Sequence, residues 1–130
     1  MNVAAVEPAS LDVQITGLRN LKGNVLICLT ANTKAFPNCA KDGQAHKLIV
    51  PAAKVGTVHF TDLAPGIYAI SLIHDENANG KLDTAMMIPR EGFGFSRNVM
   101  GSFGPPKFAA AQFGVAPGGN MLAVRMKYML

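Results

Sequence analysis

The sequence predicts an all-β protein, an antiparallel seven-stranded β-sandwich with Greek-key connections. Three observations support this fold class: about seven short apolar or alternating segments, frequent turn residues between them, and no long helical pattern. The 130 residues suffice for one domain with a single core, and 49% apolar against 15% charged residues argues against disorder. The 13 Gly and 8 Pro residues fit short strands joined by tight turns.

Seven segments are predicted to be strands from their apolar pattern. Residues 11–16 alternate strictly between apolar and polar, which indicates a half-buried strand, whereas 24–30 is apolar on both faces, as is typical of a central strand. The strand signal is strongest at 67–73, which leads directly into a polar loop. The other predicted strands are 46–50, 57–61, 113–115 and 121–130.

Turn and loop residues separate these strands. Pro65 and Gly66 form a turn before 67–73, and 117–120 predicts a hairpin turn before the last strand. Residues 107–112 fit either a helical turn or the start of a strand. The segment 84–106 is irregular and rich in Gly and Pro, and a loop this long in a compact domain is either functional or a wrong assignment of elements.

The sequence also predicts the domain boundaries, and it argues against binding to nucleic acid and against a membrane span. We expect residues 1–9 to be a flexible leader and residues 10–130 to form the single domain. The formal net charge is +4 and the pI about 9.3, but the basic residues are scattered and do not interleave with aromatic residues, which argues against nucleic-acid binding. No window approaches the ~18 apolar residues of a membrane helix, so no membrane span is predicted.

The two cysteines are Cys28, in a predicted strand, and Cys39, in the turn-rich loop that follows. Their spacing allows the Cα atoms to reach the ~5.5–6 Å separation that a disulfide requires. The alternative is a pair of reduced thiols, one in the core and one in the loop. We favour the disulfide, which implies an oxidising location, either periplasmic or secreted.

The stretch 74–83 contains the pattern D-x-N-x-N-G-x-x-D, which resembles the front of an EF-hand-type calcium loop. Ca²⁺ takes roughly six to eight oxygen ligands, and the glycine at the sixth position permits the sharp reversal of the backbone around the ion. The predicted ligands are the side chains of Asp75, Asn77, Asn79 and Asp83, and the backbone carbonyl of Lys81.

Position 12 of this loop departs from the calcium pattern. A bidentate Glu belongs there, but Met86 occupies it. The nearest later acid is Glu91, which could fold back from the irregular segment and is the sixth predicted ligand. Because few carboxylates are present, we expect weak Ca²⁺ binding, roughly in the 10⁻⁴–10⁻³ M range. The alternative is a calcium-free turn in which Asp and Asn side chains accept hydrogen bonds from their own backbone.

The segment 89–98 contains two aromatic residues separated by one glycine, Phe93 and Phe95, whose side chains share a face if the chain is extended. Exposed together, with Arg90 and Arg97 beside them, they would form a ligand-binding patch. The alternative, which we favour, is that both rings fill the end of the sandwich beneath the calcium-like loop.

No motif for catalysis is present in the sequence. It contains no G-x-S-x-G and no phosphate-binding loop, and its three histidines do not have the spacing of a metal site. An acid/base pair could in principle form among the carboxylates of Asp75, Asp83 and Glu91, but nothing in the sequence predicts a substrate groove beside them. We therefore do not expect an enzyme.

Five segments occur in a specific order. They are V-x-I-T-G-L-R-N at 13–20, the strand 23–29, L-x-P-G-x-Y at 63–68 with the H-D-x-N-x-N-G-K-L-D loop after it, I-P-x-E-G-F-G-F-S-x-N at 88–98, and G-P-P-x-F at 104–108. In this order and spacing the chain resembles a bacterial family of secreted and periplasmic domains of unknown function, family number 2141. The resemblance implies an extracytoplasmic β-sandwich similar in outline to transthyretin-like and immunoglobulin-like domains. It implies no enzymatic activity, because none is established for the family.

Two hypotheses about function follow. The first is a non-enzymatic binding or structural accessory module with a calcium-stabilised loop. The second is a carrier of a small hydrophobic or carbohydrate ligand, or a hydrolase-like site, between residues 74–83 and 88–98, which a deep pocket lined by Phe93, Phe95 and Tyr68 would favour. A protein partner or a second copy bound through edge strands is a third alternative that the sequence leaves open.

Overall fold

The computed structural model of the chain describes residues 7–80, 84–85, 88–89, 91–100 and 104–130. These residues are mostly in β-strands, which confirms a mostly β fold, and none of their helices has the length and apolar character that a membrane span needs. The strands are β1 (Ala9–Thr16), β2 (Asn24–Thr30), β3 (His46–Pro51), β4 (Thr57–Leu63), β5 (Gly66–Asp75), β6 (Thr84–Ala85), β7 (Ile88–Pro89), β8 (Gly92–Phe95), β9 (Phe113–Val115) and β10 (Gly118–Arg125). The helical elements are α1 (Phe108–Ala111) and 3₁₀ turns at Cys39–Lys41, Ala52–Lys54 and Ser96–Asn98.

Eight of these strands form two sheets. One sheet has the strand order β10-β1-β4, and the other has the order β3-β2-β5-β8, with β9 paired to the first residues of β5. β6 and β7 form a separate two-stranded ribbon. The predicted number of seven strands is too low for the described residues, because the sequence pattern does not indicate β6, β7 or β8.

The three-stranded sheet is not purely antiparallel, which corrects the prediction. β1 and β10 run parallel, from Ala9 opposite Gly118 to Thr16 opposite Arg125, whereas β1 and β4 are antiparallel. Parallel neighbours need a long connection, and here nearly the whole chain connects the two strands. The apolar pattern within a strand reports which face is buried and not the direction of its neighbour, so the sequence does not reveal this pairing.

The segment 117–120 does not form the predicted hairpin turn. β9 pairs with β5, whereas β10 begins at Gly118 and pairs with β1, so the chain crosses here from one sheet to the other. Asn120 holds the crossing in place, because its Nδ2 donates to the Ser10 carbonyl at 3.0 Å and to the Ala116 carbonyl at 2.8 Å.

One hydrophobic core lies between the two sheets, because alternate residues from strands of both sheets enter the same cluster. Val13 of β1, Val25 of β2 and Ile70 of β5 are fully buried in it. Complete burial of one such side chain stabilises the fold by roughly 1.5–3 kcal/mol. The other buried members of the core are Ala9, Leu11, Ile15, Ile27, Leu29, Ala52, Val58, Phe60, Leu63, Tyr68, Leu72, Val115, Val124 and Met126.

A second, smaller cluster covers the other face of the five-stranded sheet. Its buried members are Phe36, Ala69, Phe93, Phe95, Phe108 and Ala111. Ala69 follows the alternation of β5 and therefore lies on the face opposite to Ile70. The Phe36 ring contacts Phe95 and Phe108 edge to face, at centroid separations of 6.0 and 6.1 Å. This aromatic cluster fixes α1 and the loop after β2 against the sheet.

The sequence does not predict β8, because its residues are Gly-Phe-Gly-Phe and glycine usually indicates a turn. All four residues are buried. Each glycine lies where another segment passes closely: a Cβ at Gly92 would lie 2.4 Å from the Tyr128 ring, and one at Gly94 would lie 3.1 Å from Val124. Close packing explains the glycines of this strand.

The described sheet begins earlier than the predicted first strand. β1 starts at Ala9, and Ala9 is buried in the core, so the sheet includes the last residue of the predicted leader. Residues 1–6 lie outside the described residues.

Candidate functional site

The predicted calcium loop begins at Asp75, the last residue of β5, which is buried (1% exposed). Both of its carboxylate oxygens accept hydrogen bonds from backbone N–H groups of the loop: Oδ1 from Asn79 at 3.1 Å and Oδ2 from Gly80 at 2.7 Å. The Asp75 carbonyl accepts a further bond from the Ala78 N–H at 3.2 Å. Gly80 has a φ of +81°, which glycine adopts without strain. The side chain of Asp75 therefore caps its own loop.

Glu91 folds back onto the same loop from the segment before β8. Its Oε2 accepts a hydrogen bond from the Glu76 N–H at 2.6 Å and a longer one from the Asn77 N–H at 3.4 Å. The residue is 4% exposed. Two buried carboxylates, from Asp75 and Glu91, thus converge on the backbone of residues 76–80.

The structure brings four of the six predicted calcium ligands to this loop, namely Asp75, Asn77, Asn79 and Glu91. Lys81 and Asp83 lie outside the described residues. In the part of the chain that the structure describes, no group of three or more His, Cys, Asp or Glu side chains is arranged to hold a metal ion. The observed hydrogen bonds are those of the self-capped turn, and calcium binding stays a prediction.

A polar network that the sequence does not predict lies beside this loop. The Arg19 side chain, from the connection between β1 and β2, donates from Nε to Glu76 Oε1 at 2.6 Å and from Nη1 to the Leu130 carbonyl. Its guanidinium also lies 4.5 Å from the centre of the Tyr128 ring. Arg19 therefore joins three distant segments. Its position in the V-x-I-T-G-L-R-N motif is the one sequence signal that singles it out.

His74 is fully buried behind the loop and bonded at both ring nitrogens. Nε2 lies 2.8 Å from the Lys22 carbonyl oxygen, which only accepts hydrogen bonds, so Nε2 carries a proton. Nδ1 lies 2.8 Å from the Tyr128 hydroxyl, which itself accepts a bond from the Arg19 N–H at 3.1 Å. In the neutral imidazole the hydroxyl donates to Nδ1, which completes a chain of bonds from Arg19 to Lys22.

Charge and burial in this network shift the pKa of three groups. The hydrogen bond from Arg19 holds the pKa of the Glu76 carboxyl below its ordinary value, and the same bond raises the pKa of Arg19. Burial raises the pKa of the Tyr128 hydroxyl. The Arg19–Glu76 pair is therefore fully ionised at neutral pH.

We expect this pair to make stability depend on pH in the acid range. The folded-state pKa of Glu76 lies below 4.5, so the stabilisation is present above about pH 4.5 and is lost as the pH falls through the lower folded-state value. Glu76→Gln should lower the free energy of unfolding by about 0.5–1 kcal/mol near neutral pH, because the pair is partly exposed. Urea unfolding at about pH 7 and about pH 3 measures the difference, which should be close to zero at the lower pH.

The matched control is Glu7→Gln, which removes an exposed carboxylate before β1. It should change stability little at either pH. A Glu76→Gln effect of the same size at both pH values would contradict the assignment of the effect to this ion pair.

The structure buries Phe93 and Phe95, as the favoured interpretation expects, and does not expose them as a ligand-binding patch. The two residues are 9% and 8% exposed, and their ring centroids lie 5.8 Å apart within the aromatic cluster. Both rings cover the outer face of the five-stranded sheet. Arg97 is exposed, and Arg90 lies outside the described residues.

The predicted disulfide between Cys28 and Cys39 is confirmed. The two sulfurs are within bonding distance, and the Cα atoms lie 5.9 Å apart. The bond ties β2 to the loop that follows it. Asn38 shapes the same loop, because its Oδ1 accepts a bond from the Ala40 N–H at 2.9 Å.

Two further side-chain bonds hold this loop against the sheet. The Ser71 hydroxyl donates to the Pro37 carbonyl at 2.9 Å. The Thr30 hydroxyl donates to the buried carboxylate of Asp42 at 2.5 Å, and this bond lowers the pKa of the carboxyl. The loop after β2 is therefore fixed at three places along its length.

A cleft of about 470 Å³ lies between this loop and α1. The residues that line it are Thr33, Phe36, Pro37, Pro105, Pro106, Lys107, Phe108, Ala109 and Gln112. The sequence does not single out this cleft, because its two walls are more than sixty positions apart in the chain. The G-P-P-x-F segment, which carries part of the family resemblance, forms one of these walls.

The fold and its loops define a class of protein: a small, mostly β domain of two sheets, with a capped acidic loop at the end of an inner strand and a disulfide-tied loop over one face. The chain belongs to the bacterial family described as an uncharacterised protein conserved in bacteria (DUF2141), whose model matches residues 13–122. This confirms the family that the sequence motifs indicate. No curated protein and no solved structure matches the chain significantly.

Proposed function

We propose that this protein is a non-enzymatic binding or structural accessory module of the periplasm or of the secreted space, and that its 75–83 loop binds Ca²⁺ weakly. The observation that carries the proposal is the convergence of two buried carboxylates, from Asp75 and Glu91, on one short loop. The ion pairs among the described residues do not include Asp75.

The energetics of burial favour a cation at this loop. A buried carboxylate is costly unless its charge is compensated, and bonds from backbone N–H groups compensate it only in part. A divalent cation at this loop would compensate the charge of the buried Asp75 carboxylate, and Glu91 lies on the same loop backbone. Asn77 and Asn79 would add neutral oxygen ligands, and the Asp83 carboxylate and the Lys81 carbonyl complete the proposed set.

Two observations support the remaining parts of the proposal. The disulfide is compatible with an oxidising compartment outside the cytoplasm. The single core between two sheets supports a sandwich, and we propose that it is of the Greek-key, immunoglobulin-like or transthyretin-like type. The scaffold would then hold its loops for binding, in the way that rigid β frameworks commonly do.

Calcium binding is best tested by adding charge to the loop. Asn77→Asp and Asn79→Asp each add a carboxylate at an exposed residue of the loop, without touching the core. We expect each variant to bind Ca²⁺ about tenfold more tightly than the unmodified protein, because ligand charge sets affinity in such loops. Isothermal calorimetry on chelator-treated protein, paired with thermal melts with and without calcium, measures both affinity and stabilisation.

Asn38→Asp is the matched control, because it makes the same change in the loop after β2 and keeps a capping oxygen there. It should leave calcium affinity unchanged. Absence of heat and of any melting shift at millimolar calcium, in the unmodified protein and in both loop variants, would reduce the loop to a self-capped turn.

The carrier or hydrolase-like alternative would be favoured by a deep pocket lined by Phe93, Phe95 and Tyr68. All three residues are buried in packed clusters, so the structure does not supply that support. A homodimer through edge strands stays a prediction. The β3 edge carries Lys47 and Pro51, which are residue types that oppose edge-to-edge pairing.

A further inference from the structure

We propose that the cleft between the loop after β2 and α1 is a binding site for a small amphipathic organic anion, a molecule with a flat apolar body and one carboxylate or sulfonate group. The cleft volume of about 470 Å³ falls within the range of small-molecule sites, roughly 300–1,000 Å³. The site shares no lining residue with the Asp75 loop and does not depend on calcium.

The apolar part of the ligand is specified by the walls. Five of the nine lining residues are Phe or Pro: Phe36, Pro37, Pro105, Pro106 and Phe108. Aromatic rings and pyrrolidine rings offer flat apolar surface, and Pro has no backbone N–H that a bound apolar group would leave unsatisfied. These walls favour a ring system over a flexible polar ligand.

The positive charge of Lys107 favours a ligand with a negatively charged group. Lys107 is exposed, it is the charged residue of the lining, and the ion pairs among the described residues do not include it. The other polar lining residues, Thr33 and Gln112, both carry side-chain donors. A ligand with one anionic group can place it at the Lys107 ammonium while its ring lies against Pro37 and Pro105, which are more exposed than the two phenylalanines of the lining.

Both walls of the cleft are held in place before any ligand arrives. One wall is tied to the sheet by the Cys28–Cys39 bond and by the bond from Ser71 to the Pro37 carbonyl. The other wall is tied by the Ser96 hydroxyl, which donates to the Ala111 carbonyl at 2.5 Å. Binding to such a preformed cleft costs little conformational entropy.

Two fluorescent dyes of similar shape and different charge test the proposal. Anilinonaphthalene sulfonate is an aromatic anion, and N-phenylnaphthylamine is its neutral counterpart. We expect the unmodified protein to bind the anionic dye more tightly than the neutral one. Lys107→Gln should weaken the anionic dye about fivefold and leave the neutral dye within about twofold, whereas Lys54→Gln, on a distant 3₁₀ turn, should change neither.

Steric blocking supplies a test that does not depend on charge. Ala109 and Ala110 are neighbouring exposed residues of α1, and of these two only Ala109 lines the cleft. Ala109→Trp should fill the cleft and weaken both dyes about tenfold or more, and Ala110→Trp should leave both within about twofold. Circular dichroism confirms that each variant is folded.

Three results would overturn the proposal. They are no dye binding up to about 1 mM, equal loss of binding in Ala109→Trp and Ala110→Trp, and dye-induced changes in amide spectra centred on residues 75–80 instead of on the cleft walls. Chelation of calcium should leave dye binding unchanged, so failure of the calcium loop and failure of the cleft are distinguishable.

Discussion

Replacing Gly23 with alanine is expected to lower the free energy of unfolding by about 3 kcal/mol or more. Gly23 has a φ of +64°, and a Cβ added there would lie 2.0 Å from the Asp75 carbonyl oxygen and 2.6 Å from that of Glu76. Left-handed backbone strain in alanine accounts for about 1 kcal/mol of the expected loss. The steric overlap accounts for the rest, because the opposing atoms are backbone and cannot rotate away.

The surroundings of Gly23 prevent the strain from being relieved by a small shift. The carbonyl of the preceding residue, Lys22, accepts a bond from His74 Nε2 at 2.8 Å. The Gly23 carbonyl itself accepts a bond from the Ala52 N–H at 2.9 Å. Movement of the turn away from Asp75 therefore breaks bonds to buried groups, and movement of Asp75 disturbs the capped loop.

Thermal and urea unfolding of Gly23→Ala measure the loss, and amide spectra of residues 75–80 report whether the loop moves. Gly66→Ala is the matched control, because Gly66 has no atom within 4 Å of an added Cβ and does not have a positive φ. It should be nearly neutral. If Gly23→Ala were as stable as Gly66→Ala, the close approach of the turn to the Asp75 loop would be refuted.

Removal of the disulfide is the second large expected effect. Cys28→Ser combined with Cys39→Ser should cost about 3 kcal/mol, because the bond closes a short loop between residues separated by 11 positions and restricts the unfolded chain. Both residues are also largely buried, so the serine hydroxyls add a smaller penalty. Urea unfolding of both proteins, with and without reductant, measures the difference.

The effect should also be local. Loss of the bond frees one wall of the cleft, so we expect the double variant to bind the anionic dye more weakly while the amide spectra of the 75–80 loop stay unchanged. Reductant should destabilise the unmodified protein and leave the double variant unaffected, which is the internal control. A cost below about 1 kcal/mol would indicate that the bonds from Ser71 and Thr30 hold the loop without the disulfide.

Local pattern predicts the parts of this structure whose physics is local. The alternation of residues 11–16 and the apolar run 24–30 correspond closely to β1 and β2, because burial of a strand face imposes a period of two. The Asp75 loop is also predicted from local interactions, because a short Asp or Asn side chain accepts hydrogen bonds from backbone N–H groups a few residues ahead. The disulfide is predicted because Cys28 and Cys39 are only 11 positions apart in the sequence.

The elements that the sequence does not predict depend on segments that are far apart in the chain. The glycines of β8 are explained only by the Tyr128 ring and Val124 that pass over them. The Tyr128 hydroxyl and the Arg19 N–H that bonds it are separated by 109 positions, and neither residue has a local pattern that indicates the other.

The sequence by itself determined the mostly β class, the main strands, the disulfide, the family and the acidic loop. The tertiary structure alone decided that β1 and β10 run parallel, that Phe93 and Phe95 pack on the outer face of the five-stranded sheet, and that a cleft opens beside Lys107. The physical reason is that residue pattern encodes how much of a segment is buried, whereas the identity of the covering segment is set by packing between parts of the chain that no short motif connects.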